Sequence, residues 1–193
     1  MVKLKKKELF KLNEAYNKVI FWFFSFPNKE MSLNDLSEEL KISKTTANRI
    51  VKDLIEEGFL KVEILGRIWR ISCNKSHIYN YSKKISYNLM MIYESGVLEE
   101  VHKIIKSPRA IILFGSYRKG DDNQDSDIDL AAEVINNEEP RIIELPSIQQ
   151  FGYRKNVKVN LYIFSRNKID LNLFSNIANG IILEGFLEVI PWQ

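Results

Sequence analysis

The stretch LFGSYRKGDDNQDSDIDL, residues 113–130, constrains the fold more than any other part of the chain. It begins with the last two residues of the apolar run AIILF, which predicts a strand buried on both faces, and its own last residues start a second strand. Side chains alternate across a strand, so Asp127 and Asp129 share one face while the apolar residues beside them share the other. A strand that only built a core would not place two carboxylates side by side. The pattern therefore indicates a site for cations.

The residues between the two strands are suited to bind a phosphate group. Two neighbouring carboxylates repel unless a cation lies between them, and Mg²⁺ is commonly held by one or two carboxylates together with substrate phosphates. Gly115 allows the backbone to approach a ligand closely, and Ser116 adds a hydroxyl. Arg118 and Lys119 can neutralise phosphate oxygens. We predict a site for a nucleoside triphosphate and Mg²⁺, with one ion or a pair, since two such ions can clamp a phosphoryl displacement.

The motif GSYRKGDDNQDSDIDL resembles the signature of the DNA polymerase β-type nucleotidyltransferase superfamily, in which an apolar residue, Gly-Ser, ten residues and Asp-apolar-Asp follow one another. Within it, the step Arg118-Lys119-Gly120 is similar to that of the minimal nucleotidyltransferases. The resemblance covers Val97 to about Val189. It implies a nucleotidyltransferase α/β domain with a mixed sheet over residues 96–193, in which Asp127 and Asp129 are catalytic. It also implies transfer of a nucleoside monophosphate from an NTP to a hydroxyl, with release of pyrophosphate.

One position departs from the pattern of that superfamily. Its third carboxylate lies on a later strand between apolar residues, and the matching strand here, NVKVNLYIF, has Asn160 in that place. An amide cannot act as a general base and is a poorer metal ligand than a carboxylate. Glu133 lies about 13 Å beyond Asp129 on its strand, at ~3.3 Å per residue, too far to substitute. Glu144 is a candidate stand-in whose position the sequence does not determine.

The first part of the chain, residues 1–75, predicts a different kind of domain. Apolar residues recur at helical spacing from Leu9 to about Phe24, before MSLNDLSEELKISKTTANRIVKDLIEEGFLKVEILGRIWRIS. There, Ser32 and Ser43 can each cap a helix, and Gly58 can end the second one. The strands 59–65 and 67–72 then form a hairpin that turns at Gly66. This order resembles the winged helix-turn-helix of prokaryotic transcription regulators.

That resemblance implies a DNA-binding role for the second helix. It would enter the major groove and present Lys44, Thr45, Thr46, Asn48, Arg49 and Lys52. The lysines would contact phosphate, whereas Asn48 and Arg49 can pair with base edges. Winged helices also serve as protein-contact or dimerisation modules. The exposed face is basic and polar without a large apolar residue, which favours double-stranded DNA.

A helical segment joins the two parts, in residues 76–95. Ile78, Tyr81, Ile85, Leu89 and Ile92 recur at spacings of three and four, which predicts one helix from Ser76 to about Tyr93. Such a seam can pair with the same helix of a second copy, giving a homodimer, or pack against its own domains. The sequence leaves both open.

Bulk properties exclude some classes of protein. Net charge is +3, from 28 basic and 25 acidic residues, which does not by itself identify a nucleic-acid binder, although MVKLKKKELFK carries five lysines. Cys73 is the only cysteine, so we expect no internal disulfide and a reducing compartment. The most apolar run, VIFWFFSF, is shorter than the ~20 residues that span a bilayer. We therefore expect a cytoplasmic protein with no membrane segment.

The sequence thus predicts an α+β protein with a winged helix-turn-helix, a linker helix and a nucleotidyltransferase domain. Three functions remain open. The first is an enzyme that modifies a hydroxyl of a protein or other acceptor. The second is a non-catalytic transcriptional regulator that senses nucleotide, which Asn160 favours. The third is an antitoxin that masks a partner by contact, because some minimal nucleotidyltransferases act as antitoxins toward HEPN-type ribonuclease toxins.

Overall fold

The computed structural model describes residues 14–66 and 68–189 and divides the chain between His77 and Ile78 into two compact units. Of the segment 76–95 that we predicted as a linker, all but the first two residues fall in the second unit. The lysine-rich residues 1–11, the predicted start of the first helix at Leu9 and the strand position Arg67 lie outside the described residues. Within those residues, no helix is long and apolar enough to cross a membrane.

The first unit consists of three helices and a hairpin. The helices are α1 (Glu14–Ser25), α2 (Leu33–Glu39) and α3 (Lys44–Glu56), and the antiparallel strands are β1 (Leu60–Leu65) and β2 (Ile68–Cys73). An isolated antiparallel bridge between Met31 and Ile71 adds a further pairing to strand β2 of the hairpin. Both predicted caps form, because the hydroxyl oxygens of Ser32 and Ser43 accept from the backbone N–H three residues on. The predicted winged helix-turn-helix is confirmed.

The second unit begins with a 3₁₀ helix (Ile78–Tyr81), α4 (Lys83–Glu94) and α5 (Val97–Ile104). Its strands are β3 (Ala110–Phe114), β4 (Ile128–Glu133), β5 (Arg141–Phe151), β6 (Arg154–Phe164) and β7 (Ile181–Gly185). Helix α6 (Gly115–Lys119) follows β3, and α7 (Leu171–Ala178) precedes β7.

The five strands form one mixed sheet in the order β5-β6-β4-β3-β7. Strands β4 and β6 are parallel, and the other neighbouring pairs are antiparallel. Every residue of β3 is buried, as the apolar run predicted. On the face that carries Ile112, Phe114 and Ala131, the core is covered by Ile177 of α7. The fold places the end of β3 beside the start of β4, and the start of β4 beside the middle of β6.

The prediction of a single helix from Ser76 to about Tyr93 is wrong in two respects. The segment breaks into the 3₁₀ helix and α4, and the side chains of Ile78 and Tyr81 are exposed. The buried face of α4 holds Lys84, Tyr87, Asn88 and Ile92. Hydrophobic periodicity misplaced this face because two of its buried residues are polar, and their burial depends on partners far away in the sequence.

We expect Gly120→Ala to destabilise the second unit more than Gly96→Ala. Both glycines have φ of +77°, so either substitution forces an alanine into the left-handed region, at a cost of ~1–2 kcal/mol. A Cβ on Gly120 would also overlap the carbonyl oxygen of Asn80, whereas at Gly96 the nearest atom would be 3.8 Å away. Calorimetric unfolding of the two variants measures the difference. Equal melting temperatures would contradict the tight packing at Gly120.

Candidate functional site

Asp127 and Asp129 lie at the start of β4, beside the end of β3. Asp129 is paired in register with Phe114, the last residue of β3, and both carboxylates are half-buried. Gly115 follows directly, with φ of +71°, and a Cβ on it would lie 2.6 Å from Oδ2 of Asp129. Only glycine fits there, since any side chain would strain the backbone and press on the carboxylate. The Gly-Ser step and the aspartates therefore meet at one point, as the sequence predicted.

The negative charges of Asp127 and Asp129 are destabilised by their half-buried surroundings and by each other. Burial raises the pKa of Asp129 above its usual range, the hydrogen bond from Asn160 opposes this, and the charge of Asp127 raises it further. The pKa of the Tyr162 hydroxyl is also raised, first by burial and then by the charges of Asp129 and Asp127. Two carboxylates that repel in a half-buried place favour a bound cation.

Asn160 lies directly beside Asp129. The parallel register of β4 and β6 pairs the two residues, and the amide Nδ2 of Asn160 donates to Oδ1 of Asp129 over 3.3 Å. A carboxylate at residue 160 would therefore lie directly beside that of Asp129. In this chain, the position offers a hydrogen-bond donor to Asp129 instead of a third negative charge.

The two glutamates considered as substitutes have different places. Glu133 is buried at the other end of β4, where Arg166 holds it in an ion pair at 3.1 Å. It is committed to that pair. Glu144 on β5 is exposed and is paired in register with Asn160 across the antiparallel β5–β6 pair. Glu144 thus lies one strand beyond Asn160, and residues that pair in register project from the same face.

The residues predicted to bind phosphate follow β3 directly. Ser116 and Arg118 are half-buried, and Lys119 is exposed in the last turn of α6. Lys158 was not predicted, and it is exposed on β6 two residues before Asn160. Side-chain alternation puts Lys158 and Asn160 on the same face. Three basic side chains therefore stand on the two elements that flank the carboxylates.

A buried ion pair holds the loop that leads to Asp127. Nζ of Lys84 lies 3.2 Å from Oδ2 of Asp122, and both side chains are almost fully buried, at 1% and 4% exposed. Lys84 also donates to the backbone carbonyl of Asp122. The amide of Asn88 donates to Oδ1 of Asp122 over 2.8 Å and to the carbonyl of Tyr117 over 3.1 Å. Helix α4 therefore anchors the start of the polar loop and the helix α6 that precedes it.

Arg154, at the start of β6, anchors the same loop from another side. Its guanidinium donates to the carbonyl of Ser126 over 2.7 Å and also to the hydroxyl of Tyr117. Ser126 is the residue immediately before Asp127. Its hydroxyl accepts from the backbone N–H of Asn123 over 3.0 Å, which closes the loop on itself. The position of Asp127 is thus set by buried polar contacts with two elements distant in sequence.

The donor set suits a Mg²⁺ ion held together with a triphosphate. Mg²⁺ is usually bound by one or two carboxylates plus substrate phosphates and water, rather than by an all-protein cage. Within residues 14–66 and 68–189, no three His, Cys, Asp or Glu side chains cluster as a metal site. Asp127 and Asp129 therefore supply two carboxylates, and the remaining ligands would come from substrate and solvent.

The predicted DNA-reading residues lie on α3. Lys44, Thr45, Arg49 and Lys52 are exposed, whereas Thr46 and Asn48 are half-buried. The hydroxyl of Thr46 lies 2.8 Å from that of Ser43, so it takes part in the helix cap. Arg49 lies 3.6 Å from Asp53 in an exposed pair, which is worth little and can be given up to a phosphate or base.

Comparison with known families agrees with the architecture of the two units. Residues 98–185 match the family described as polymerase beta, nucleotidyltransferase, and residues 28–61 match the family described as winged helix-turn-helix DNA-binding. No curated protein matches the chain. The two matches show a nucleotidyltransferase domain that follows a winged helix-turn-helix DNA-binding domain in the chain. The second unit contains a nucleotidyltransferase domain of the polymerase β family, and the first contains a winged helix-turn-helix.

Sequence reasoning missed the network beneath the loop and the tyrosine beside the carboxylates. Because polar side chains are mostly exposed, nothing in the sequence marked Lys84, Asn88 and Arg154 as buried. Tyr162 follows Asn160 by two residues on β6, so alternation could have placed it on the site face. For the three buried polar residues the sequence carried no comparable signal.

Removing the cation beneath the loop should be costly. We expect Lys84→Met to lower the free energy of unfolding of the second unit by about 3–5 kcal/mol, because it leaves the Asp122 carboxylate buried and uncompensated. The double variant Lys84→Met/Asp122→Asn should recover most of that loss, since it removes the stranded charge. Native-state hydrogen exchange of the β4 amides measures both variants. A loss below about 1 kcal/mol, or a double variant no more stable than the single one, would contradict the ion pair's role.

Proposed function

We propose that this protein binds a nucleoside triphosphate with Mg²⁺ in its second unit and slowly transfers the nucleoside monophosphate to a hydroxyl. The observation that carries the proposal is the meeting of Gly115, Asp127 and Asp129 at the ends of two paired strands, within a domain of the polymerase β family. In this proposal Asp127 and Asp129 hold the metal. Gly115, Ser116, Arg118 and Lys119 bind the phosphates.

The residues of the chain supply orientation and charge balance in this proposal. Bound Mg²⁺ would neutralise charge on the phosphates and polarise the α-phosphorus. Asp129 is held in place by the Asn160 amide, and the loop anchored on Lys84 and Arg154 fixes Asp127. The basic side chains on α6 and β6 would hold the triphosphate, so that the leaving pyrophosphate is oriented away from the acceptor.

A second candidate is a regulator that binds nucleotide without turning it over. The hydrogen bond from Asn160 to Asp129 favours it, since an amide stands where a proton acceptor is needed. General-base assistance typically contributes ~10²–10⁴-fold to rate, so its loss at this position would leave transfer slow. In this candidate, nucleotide occupancy would bias the affinity of the winged helix for DNA. The two candidates share the nucleotide site and are distinguished by whether the bound nucleotide is turned over.

The first unit supplies the second half of the proposed function. We propose that it binds double-stranded DNA through the exposed residues of α3, and that Arg49 and Asn48 contact bases while Lys44 and Lys52 contact phosphate. We further propose a cytoplasmic protein that acts as a homodimer and, as an antitoxin would, contacts a protein partner. These proposals rest on the likeness to transcription regulators and minimal nucleotidyltransferases set out above.

The nucleotide site can be tested by binding. We expect Asp127→Ala and Asp129→Ala each to weaken Mg-ATP binding at least tenfold, because either change leaves less charge to hold the metal beside the triphosphate. Asp121→Ala is the matched control, an exposed aspartate of the same loop, and should bind like the natural protein. Calorimetric titration with ATP and MgCl₂ measures all three. Unchanged affinity for Mg-ATP in both site variants would contradict the assignment of Asp127 and Asp129 to the metal site.

The DNA surface can be tested with matched lysines. Lys52→Ala should weaken binding to all duplexes about equally and reduce the salt slope by about one unit, since a phosphate contact releases about one counterion. Arg49→Ala should cost ~1–3 kcal/mol mainly on the preferred sequence, if the guanidinium reads a guanine. Lys18→Ala on α1, whose side chain pairs with Glu14 at 2.7 Å, is the control. Absence of duplex binding at low salt would favour the protein-contact role.

A further inference from the structure

Three polar side chains stand in a row across the sheet at the candidate site. The parallel register of β4 and β6 pairs Asp129 with Asn160, and the antiparallel register of β5 and β6 pairs Asn160 with Glu144. Residues that pair in register project from the same face of a sheet. The row therefore runs from carboxylate to amide to carboxylate across three adjacent strands.

The surroundings of Glu144 leave it open to an incoming acceptor. Its side chain is exposed, while the next residue, Leu145, is buried and so points to the opposite face. Along the same face the next row pairs Ile142 with Tyr162. Ile142 is 62% exposed and Tyr162 is half-buried, so an apolar step lies beside the polar row. An acceptor that carries a hydroxyl could rest on this step within reach of Glu144.

The separation between Glu144 and Asp129 leaves room for a reacting hydroxyl. Adjacent strands lie ~4.8 Å apart, so the two Cα atoms are about 10 Å from each other. A Mg²⁺ ion held by Asp129, with the acceptor hydroxyl beside it, would occupy most of this distance. The side chain of Glu144, extended over Asn160, spans the rest of the distance to Asp129. β5 lies one strand farther from Asp129 than β6 does. The longer side chain of a glutamate on β5 can cover a distance that would need only an aspartate on β6.

We propose that Glu144 is the catalytic base of this domain and takes the role that Asn160 cannot fill; the inference rests on the nucleotidyl transfer proposed above. The acceptor oxygen forms a bond to the α-phosphorus of the NTP, and the bond from that phosphorus to the bridging oxygen of pyrophosphate breaks. The hydroxyl proton passes to the carboxylate of Glu144. The products are the nucleoside monophosphate ester, pyrophosphate and a protonated Glu144, which then returns its proton to solvent.

Water serves as the probe acceptor, because its transfer reaction converts ATP to AMP and pyrophosphate. We expect the full-length protein with Mg²⁺ to form AMP slowly, and Glu144→Gln to lower that rate by about 10²-fold or more. The affinity for Mg-ATP should stay within about twofold, since a base that touches only the acceptor adds little to nucleotide binding. Glu139→Gln is the control, a solvent-exposed glutamate near the start of β5 that pairs with Lys168. It should change neither quantity.

A substitution at Asn160 tests whether Glu144 stands in for the missing carboxylate. Asn160→Asp should raise the rate of AMP formation and make it insensitive to Glu144→Gln, because the proton then has a nearer acceptor. If Glu144→Gln lowers the rate by the same factor in both backgrounds, Glu144 is not the substitute and the inference is overturned.

A measurement independent of turnover checks the geometry. In a Cys73→Ser background, a fluorinated label on Glu144→Cys should be broadened by bound Mn²⁺-ATP at least about tenfold more than the same label on Gln150→Cys. Gln150 is exposed on the same strand about 20 Å further along, and this broadening falls steeply with distance. Equal broadening at the two positions would overturn the inference.

The outcomes separate the inference from the proposal beneath it. A protein that does not bind Mg-ATP overturns the proposed function itself. A protein that binds Mg-ATP and forms AMP at the same rate with and without Glu144, or that forms none, overturns the assignment of Glu144 while nucleotide binding stands.

Discussion

The buried pair of Lys84 and Asp122 is the contact on which the candidate site depends. The loop between Gly120 and Asp127 is polar throughout and has no apolar residue of its own to bury. Its conformation must therefore come from hydrogen bonds, and these reach it from α4 and from the start of β6. Each side chain that anchors the loop is itself nearly removed from solvent. Such a network specifies one conformation when every member is satisfied, and it is costly when one is removed.

The apolar pattern predicted the two strands that carry the carboxylates and the Gly-Ser step, and it failed where burial depends on polar partners. The run 110–114 and the alternation around Ile128 correctly predicted β3 and β4, because both signals follow directly from side-chain geometry. The face of α4 was misjudged because Lys84 and Asn88 gain their burial from a loop more than 25 residues away in the sequence. Periodicity alone does not carry such pairings.

The position of Glu144 relative to the site could not be predicted from the sequence for a related reason. Strand β5 changes register between Leu145 and Ile148, around Pro146, which has no N–H to give to a neighbouring strand. An irregularity of this kind shifts which residues share a face, so alternation counted along β5 does not assign Glu144 to the site side. Only the pairing of Glu144 with Asn160 does so. In the inference made above, this pairing is what supplies a third carboxylate.

Asn160 changes the charge balance of the site in the absence of nucleotide. An aspartate there would add a third negative charge beside Asp127 and Asp129, in a half-buried place where burial and Asp127 already raise the pKa of Asp129. The amide donates to Oδ1 of Asp129 and so relieves part of that repulsion without a metal. The same exchange weakens the attraction for a second cation, so metal and triphosphate must contribute more to each other's binding. In the proposed function, bound Mg-NTP would stabilise the folded unit by mass action, to a degree that depends on the nucleotide concentration. That property suits a domain attached to a DNA-binding module, whether its nucleotide is turned over slowly or only held.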